Sequence, residues 1–138
     1  MIIKKPNNKH LETAIDFLDN DNTIVVTKNR SKSIDSTYKS YISSFGGAII
    51  QSGLMGTLMT FEANDKKKKI IHALFQLYNT NFPNDKINQI NREYFRTVKT
   101  KNENEKKEIK NRLIDMAVAL KLAMRCYETK EDNSNNNE

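Results

Sequence analysis

The sequence holds a single cysteine, Cys126, so no internal disulfide can form. Histidine is almost as scarce. His10 and His72 stand apart, and with Cys126 they give no metal-ligand spacing. The same scarcity leaves no Ser-His-Asp or Cys-His arrangement for nucleophilic catalysis. There is no apolar run of about 18 residues, hence no expected transmembrane helix. The opening MIIKKPNNKH has two isoleucines and then charge, and so lacks the apolar centre of a signal peptide. Only four glycines are present, at 46, 47, 53 and 56, without the lysine and Ser/Thr of a phosphate-binding loop. These absences lead to the expectation of a soluble cytoplasmic protein with no membrane contact, no metal, no cofactor and no enzymatic activity.

What is present is basic and helical. The chain has 138 residues, a length that implies one domain with one core. Its 37% hydrophobic content is low but suffices for a small helical domain. The net charge is +6, from 23 basic and 17 acidic residues. The last eleven residues hold four acids against one lysine, so residues 1–127 carry +9. A basic body suggests a polyanionic partner, nucleic acid above all, with solubility as the bland alternative.

The stretch from Ser36 to Phe61 organises the rest. Lys39 is its only charge, and all four glycines lie in it. Tyr38, Tyr41, Ile42, Phe45, Ile49 and Ile50 recur at helical spacing. Gln51-Ser52-Gly53-Leu54 reads as a helix stop, with Gly53 in a left-handed conformation and Leu54 folding back onto Ile49. Leu54 to Phe61 then begins a second apolar helix. Before this hairpin, residues 1–9 read as a loose arm and Leu11 to Asp19 as a helix. Glu12 and Asp16, one turn apart, read as a solvated face of that helix. Thr23 to Thr27 is β-branched, but no partner strand is apparent, so it is expected as an extended segment or an irregular helical turn. Ser33 or Asp35 is the expected N-cap of the central helix.

After the hairpin a helix opens at Lys66 to Lys69, with core positions Ile70, Ile71, Leu74, Leu77 and Tyr78. A loop with Pro83 follows. The next helix carries Ile87, Ile90, Tyr94, Phe95 and Val98 on one face, and Arg92, Arg96 and Lys99 on the other at i, i+4, i+7. Asn102 and Glu105 have capping-box spacing, and a final helix runs to about Tyr127. Its face of Ile109, Leu113, Met116, Ala117, Leu120, Met124 and Tyr127 is broadened by Ile114, Val118 and Leu122, which suits burial between helices or against a neighbouring subunit. Residues 128–138 read as a disordered, polar, acidic tail. The expected fold is all-α: a single-domain bundle of five to six helices over residues 1–127, without a β-sheet. The candidate phosphate contacts are Arg92, Arg96 and Lys99, then Lys28, Arg30, Lys32 and Lys39.

Tyr38-x-x-Tyr41, the apolar helix, Gln51-Ser52-Gly53-Leu54 and Leu58-x-x-Phe61 together resemble the small all-helical subunit of type III-B CRISPR effector (Cmr) complexes. Leu113 to Arg125 is similar to that family's last helix. The resemblance implies a non-catalytic subunit in antiviral defence. It implies stacking with further copies into a filament beside the other effector-complex subunits, along the groove that holds guide RNA and target RNA. The basic faces would meet phosphates without reading sequence. Two alternatives stay open: a helical DNA-binding regulator, in which the Gly53 corner is a helix-turn-helix, and a helical adaptor that binds protein only.

Overall fold

The computed structural model describes residues 7–85, 96 and 98–130. Arg92, most of the helix expected at 87–98, the start of the arm and the tail beyond Lys130 lie outside the described residues. Among those described the fold is helical, with one small sheet, so the all-α class holds.

The first helix, α1 (Asn8–Asn20), starts inside the segment expected to be a loose arm. The cause is Asn7, whose side-chain oxygen accepts the backbone N–H of Lys9 at 2.8 Å and of His10 at 3.4 Å. Ala14 and Leu18 are buried beneath it. Past its end, the Asp21 carboxylate accepts the backbone N–H groups of Thr23, Ile24 and Val25. This Asx turn aims the chain into a strand.

That strand corrects the expectation of no sheet. Strand β1 (Val25–Lys28) pairs antiparallel with β2 (Ser31–Asp35) through a two-residue turn, Asn29-Arg30. Both turn residues have positive φ, 53° and 67°, as a type I′ hairpin turn requires. The partner strand went unread because SKSID offers only one apolar residue, Ile34, and Asn-Arg is a weak imitation of the usual Asn-Gly turn. A third strand, β3 (Glu128–Lys130), adds parallel to β2 and takes in the first three residues of the expected disordered tail.

The Asp35 carboxylate caps α2 (Ser36–Glu62), accepting the N–H of Thr37 at 2.8 Å. The helix is interrupted at Gly53, with φ 75° and ψ 171°. The break falls where the sequence places it, but its extended ψ is not that of a left-handed Schellman cap. The change of direction is large. The rings of Phe45 and Phe61 lie 5.4 Å apart, edge to face, whereas sixteen residues of straight helix would separate them by about 24 Å. The chain therefore doubles back, and Tyr38, Ile42, Phe45 and Ile49 of one limb share a core with Leu54, Leu58 and Phe61 of the other. The bend leaves the buried Thr57 hydroxyl without a hydrogen-bond partner. In an unbroken helix it would reach the carbonyl four residues back, which is that of Gly53.

Helix α3 (Asp65–Asn81) begins at Asn64, which caps Lys66 and Lys67. All five of its expected core positions are buried, with Ala73 and Phe75 in addition. Its lysine-rich start is accommodated locally. Lys68 pairs with Glu62 at 3.3 Å, and Lys67 lies over the rings of Tyr41 and Phe61 at 5.3 and 5.2 Å. Helix α4 (Glu103–Met124) opens on the expected Asn102–Glu105 capping box and packs against α1, α2 and α3. It ends three residues earlier than expected, because residues 125–127 turn toward β3. Near its middle Arg112 stacks on Phe82 at 4.3 Å and bonds Asp85 at 3.0 Å, Tyr78 and Glu108. Partial burial opposes the Arg112 charge, but the bonds to Tyr78 and Asp85 outweigh it and hold its pKa above the ordinary value.

Two glycine substitutions should shift stability in opposite directions. A Cβ at Gly47 meets nothing within 4 Å, and the residue is helical, so Gly47→Ala should stabilise by about 0.4–1 kcal/mol. Gly53→Ala should destabilise by about 1–3 kcal/mol, because the backbone there is accessible essentially to glycine alone. Urea denaturation of both variants checks the signs.

Candidate nucleic-acid interface

The hairpin sets out three of the candidate cations. Along β1 and β2 the faces alternate. Val25 and Ile34 are buried on one face, and Thr27 lies opposite Lys32 further along the same face. Lys32 therefore projects past the core edge, and its Nζ donates to the Asp19 carbonyl at 2.9 Å. A cation at that point satisfies the C-terminus of α1, which has no basic residue in its own last turn. Lys28 and Arg30 are exposed at the tip, and neither makes an ion pair with another described residue. For Arg30 the conformation is the notable feature: φ 67° belongs to glycine or asparagine, and arginine takes it at a cost of about 1–2 kcal/mol.

Lys39 is committed elsewhere. Its Nζ donates to the Tyr127 carbonyl at 2.9 Å and to Thr129 Oγ1 at 2.5 Å. The Tyr127 hydroxyl donates to Asp19 in turn, and burial together with that carboxylate holds it protonated far above the ordinary phenol range. Ser31 also donates to Glu128 at 3.4 Å. Lys32 and Lys39 thus anchor the base of the sheet to α1 and to the segment entering β3.

Arg96 and Lys99 are exposed on either side of the fully buried Val98, so one apolar anchor presents both cations to solvent. Neither makes an ion pair with another described residue. The lysines that open α4 contrast with them. Lys101 pairs with Glu105 at 3.8 Å and Lys106 with Glu103 at 3.6 Å, so part of that charge is neutralised on the spot. The structure therefore sorts the candidates: Lys28, Arg30, Arg96 and Lys99 point outward, while Lys32 and Lys39 hold the fold. Sequence reasoning missed the anchoring role because it depends on contacts across 13 and 88 residues of chain.

A cleft of about 650 Å³ lies between α1 and α3, lined by Thr13, Asp16, Asn20, Gln76 and Thr80 among others. It carries no basic side chain and does not suit a phosphate. The limb of α2 after Gly53 buries Leu54, Leu58 and Phe61 and presents no basic side chain outward, which disqualifies it as a recognition helix. Among the described residues, no group of three or more His, Cys, Asp or Glu could hold a metal ion, and no helix is long and apolar enough to cross a membrane.

A family model described as CRISPR-associated protein (Cas_Cmr5) matches residues 22–131. The chain belongs to the Cas_Cmr5 family. Membership makes it a subunit of a CRISPR-associated complex. The span that defines this Cas_Cmr5 protein contains the hairpin, the bent α2, α3, α4 and β3, whereas α1 precedes it. The bonds from Lys32 and Tyr127 to Asp19 tie α1 to the family core. Among curated proteins and among solved structures, no match to the chain was found.

Proposed function

We propose that this Cas_Cmr5 protein is a non-catalytic scaffold subunit of a type III-B CRISPR interference complex, acting in the cytoplasm in antiviral defence. It stacks with further copies beside the other effector-complex subunits and holds guide RNA and target RNA by their phosphates. The observation that carries the reading is the hairpin tip. Arg30 sits exposed beside Lys28 in a conformation that glycine would occupy more stably, on a base pinned by Lys32 and Lys39. Strain of this kind, kept at an exposed basic residue, is supported by function better than by folding. Arg96 and Lys99 supply a second pair of phosphate contacts, with Arg92 as the remaining candidate.

The test is to measure binding of a guide–target RNA to the wild type and to a variant with Lys28, Arg30, Arg96 and Lys99 all changed to glutamate. Loss of RNA with unchanged helicity supports the reading, and undiminished RNA binding removes it.

A further inference from the structure

Helix α2 turns at a single residue. Its backbone is helical up to Ser52 and again from Leu54, and only Gly53 departs, with φ 75° and ψ 171°. Before Gly53 stand α1, the β1–β2 hairpin and the first limb of α2. After it come the second limb, α3, α4 and β3. The core is built between these halves. α1 and the first limb pack on α3 and α4, and β2 pairs with β3. A short strained connection between two halves that need each other is the arrangement in which copies exchange halves.

Two observations favour a straight α2. Gly53 holds a conformation open essentially to glycine alone, and straightening releases it. The Thr57 hydroxyl is buried without a hydrogen-bond partner, and in a straight helix it reaches the Gly53 carbonyl. Charge does not oppose the change, since no residue from Ser40 to Phe61 is charged. What opposes it is the core. A straight helix of 27 residues is about 40 Å long, so Phe45 and Phe61 would no longer meet within one chain. A second copy restores the contact. Phe45 of one chain then meets Phe61 of the other, and each half finds its usual partner on the second chain.

We infer that Gly53 is a hinge through which two copies exchange the halves that follow it, with α2 straight in the exchanged pair. This is not a docking of two surfaces. Every core contact of the pair is one that the single chain already makes, formed between chains instead. Association costs translational and rotational freedom, so the bent single chain prevails in dilute solution and the exchanged pair gains with concentration. The pair carries two basic hairpin tips on one body, and it forms whether or not the chain binds RNA.

The test uses the full chain with Cys126→Ser, Ser33→Cys and Glu128→Cys. Positions 33 and 128 face each other across β2 and β3, one in each half. On oxidation a bent chain closes that disulfide on itself, whereas an exchanged pair closes it between chains. Gly53→Ala is then added. A Cβ there meets nothing within 4 Å, so the substitution penalises the bent backbone and spares the straight one. The penalty counts once per chain, and the dimerisation constant should rise on the order of a hundredfold or more. The dimers should run as covalent pairs on a denaturing gel. Thr57→Val should make them fewer, because no partnerless hydroxyl then weighs against the bend, and Gly47→Ala should not make them more. A folded Gly53→Ala chain that stays monomeric overturns the inference. Dimers that separate into singly closed chains on the gel overturn it too, since those copies are docked and not exchanged. Should Gly53→Ala not fold, the same two cysteines decide in a chain that keeps Gly53, refolded from urea at rising concentration. Covalent pairs that increase with concentration support exchange, and their absence overturns it.

Discussion

RNA affinity should fall on the order of a hundredfold at near-physiological salt when Lys28, Arg30, Arg96 and Lys99 are all changed to glutamate. The slope of log affinity against log salt should fall with it. Each phosphate contact on a duplex contributes about 0.9 to that slope, so losing four should flatten it by about 3.5. The loss should be uniform across RNA sequences, because the phosphate contacts proposed for these cations carry no sequence information. The structure supplies the control. Lys32 and Lys39 donate to the Asp19 and Tyr127 carbonyls, so Lys32→Gln and Lys39→Gln should lower stability and leave the salt slope unchanged. Arg30→Gly separates function from folding most sharply. Glycine accepts φ 67° without strain, so this variant should gain about 1 kcal/mol of stability while losing RNA affinity. A titration monitored by fluorescence anisotropy at three salt concentrations, beside a urea melt, reads all of these. If Arg30→Gly bound RNA as well as the wild type does, the strained turn would have no role in binding.

The helices were legible because their signals are local. The Asn102–Glu105 capping box, the burial of Ile70, Ile71, Leu74, Leu77 and Tyr78, and the break at Gly53 each depend on residues within a few positions of one another. The sheet was not legible, since its stability comes from afar. β3 joins β2 across almost a hundred residues, and Glu128-Thr129-Lys130 has the composition of a solvated tail. What orders it is the bonding of Lys39 to Tyr127 and Thr129, which no local pattern displays. The same limit applied to the site. Spacing and charge single out seven cations, but charge does not tell a lysine that meets solvent from one that closes a helix end. Arg30 stands out in the sequence by its charge alone, whereas its backbone conformation, the more telling property, follows from a turn type visible only once the strands pair.

Phe45→Ala should cause the largest loss of stability of any substitution considered. Phe45 is fully buried and meets Phe61 edge-on across the bend of α2. Truncating a buried phenylalanine costs about 3–5 kcal/mol, a large part of the about 5–15 kcal/mol that holds a domain of this size. At about 3–5 °C per kcal/mol, the thermal midpoint should fall by roughly 10–20 °C. Phe61→Ala should add less than its own full effect to Phe45→Ala, since the two share one contact, with a coupling of about 0.5–1.5 kcal/mol. Ile50→Ser, a few residues along the same helix, should change stability by no more than about 0.5 kcal/mol, because Ile50 is 79% exposed. Thermal melts of the wild type, the three single variants and the double variant decide whether the helix doubles back as described. A coupling near zero between positions 45 and 61 would place them in separate cores and deny the bend. Loss at 45 alone leaves Ile50 as an apolar side chain that the isolated chain has no use for. Ile50 stands about 140° around the same limb from Phe45, so helical phase turns it outward while the bend at Gly53 lets Phe45 meet Phe61.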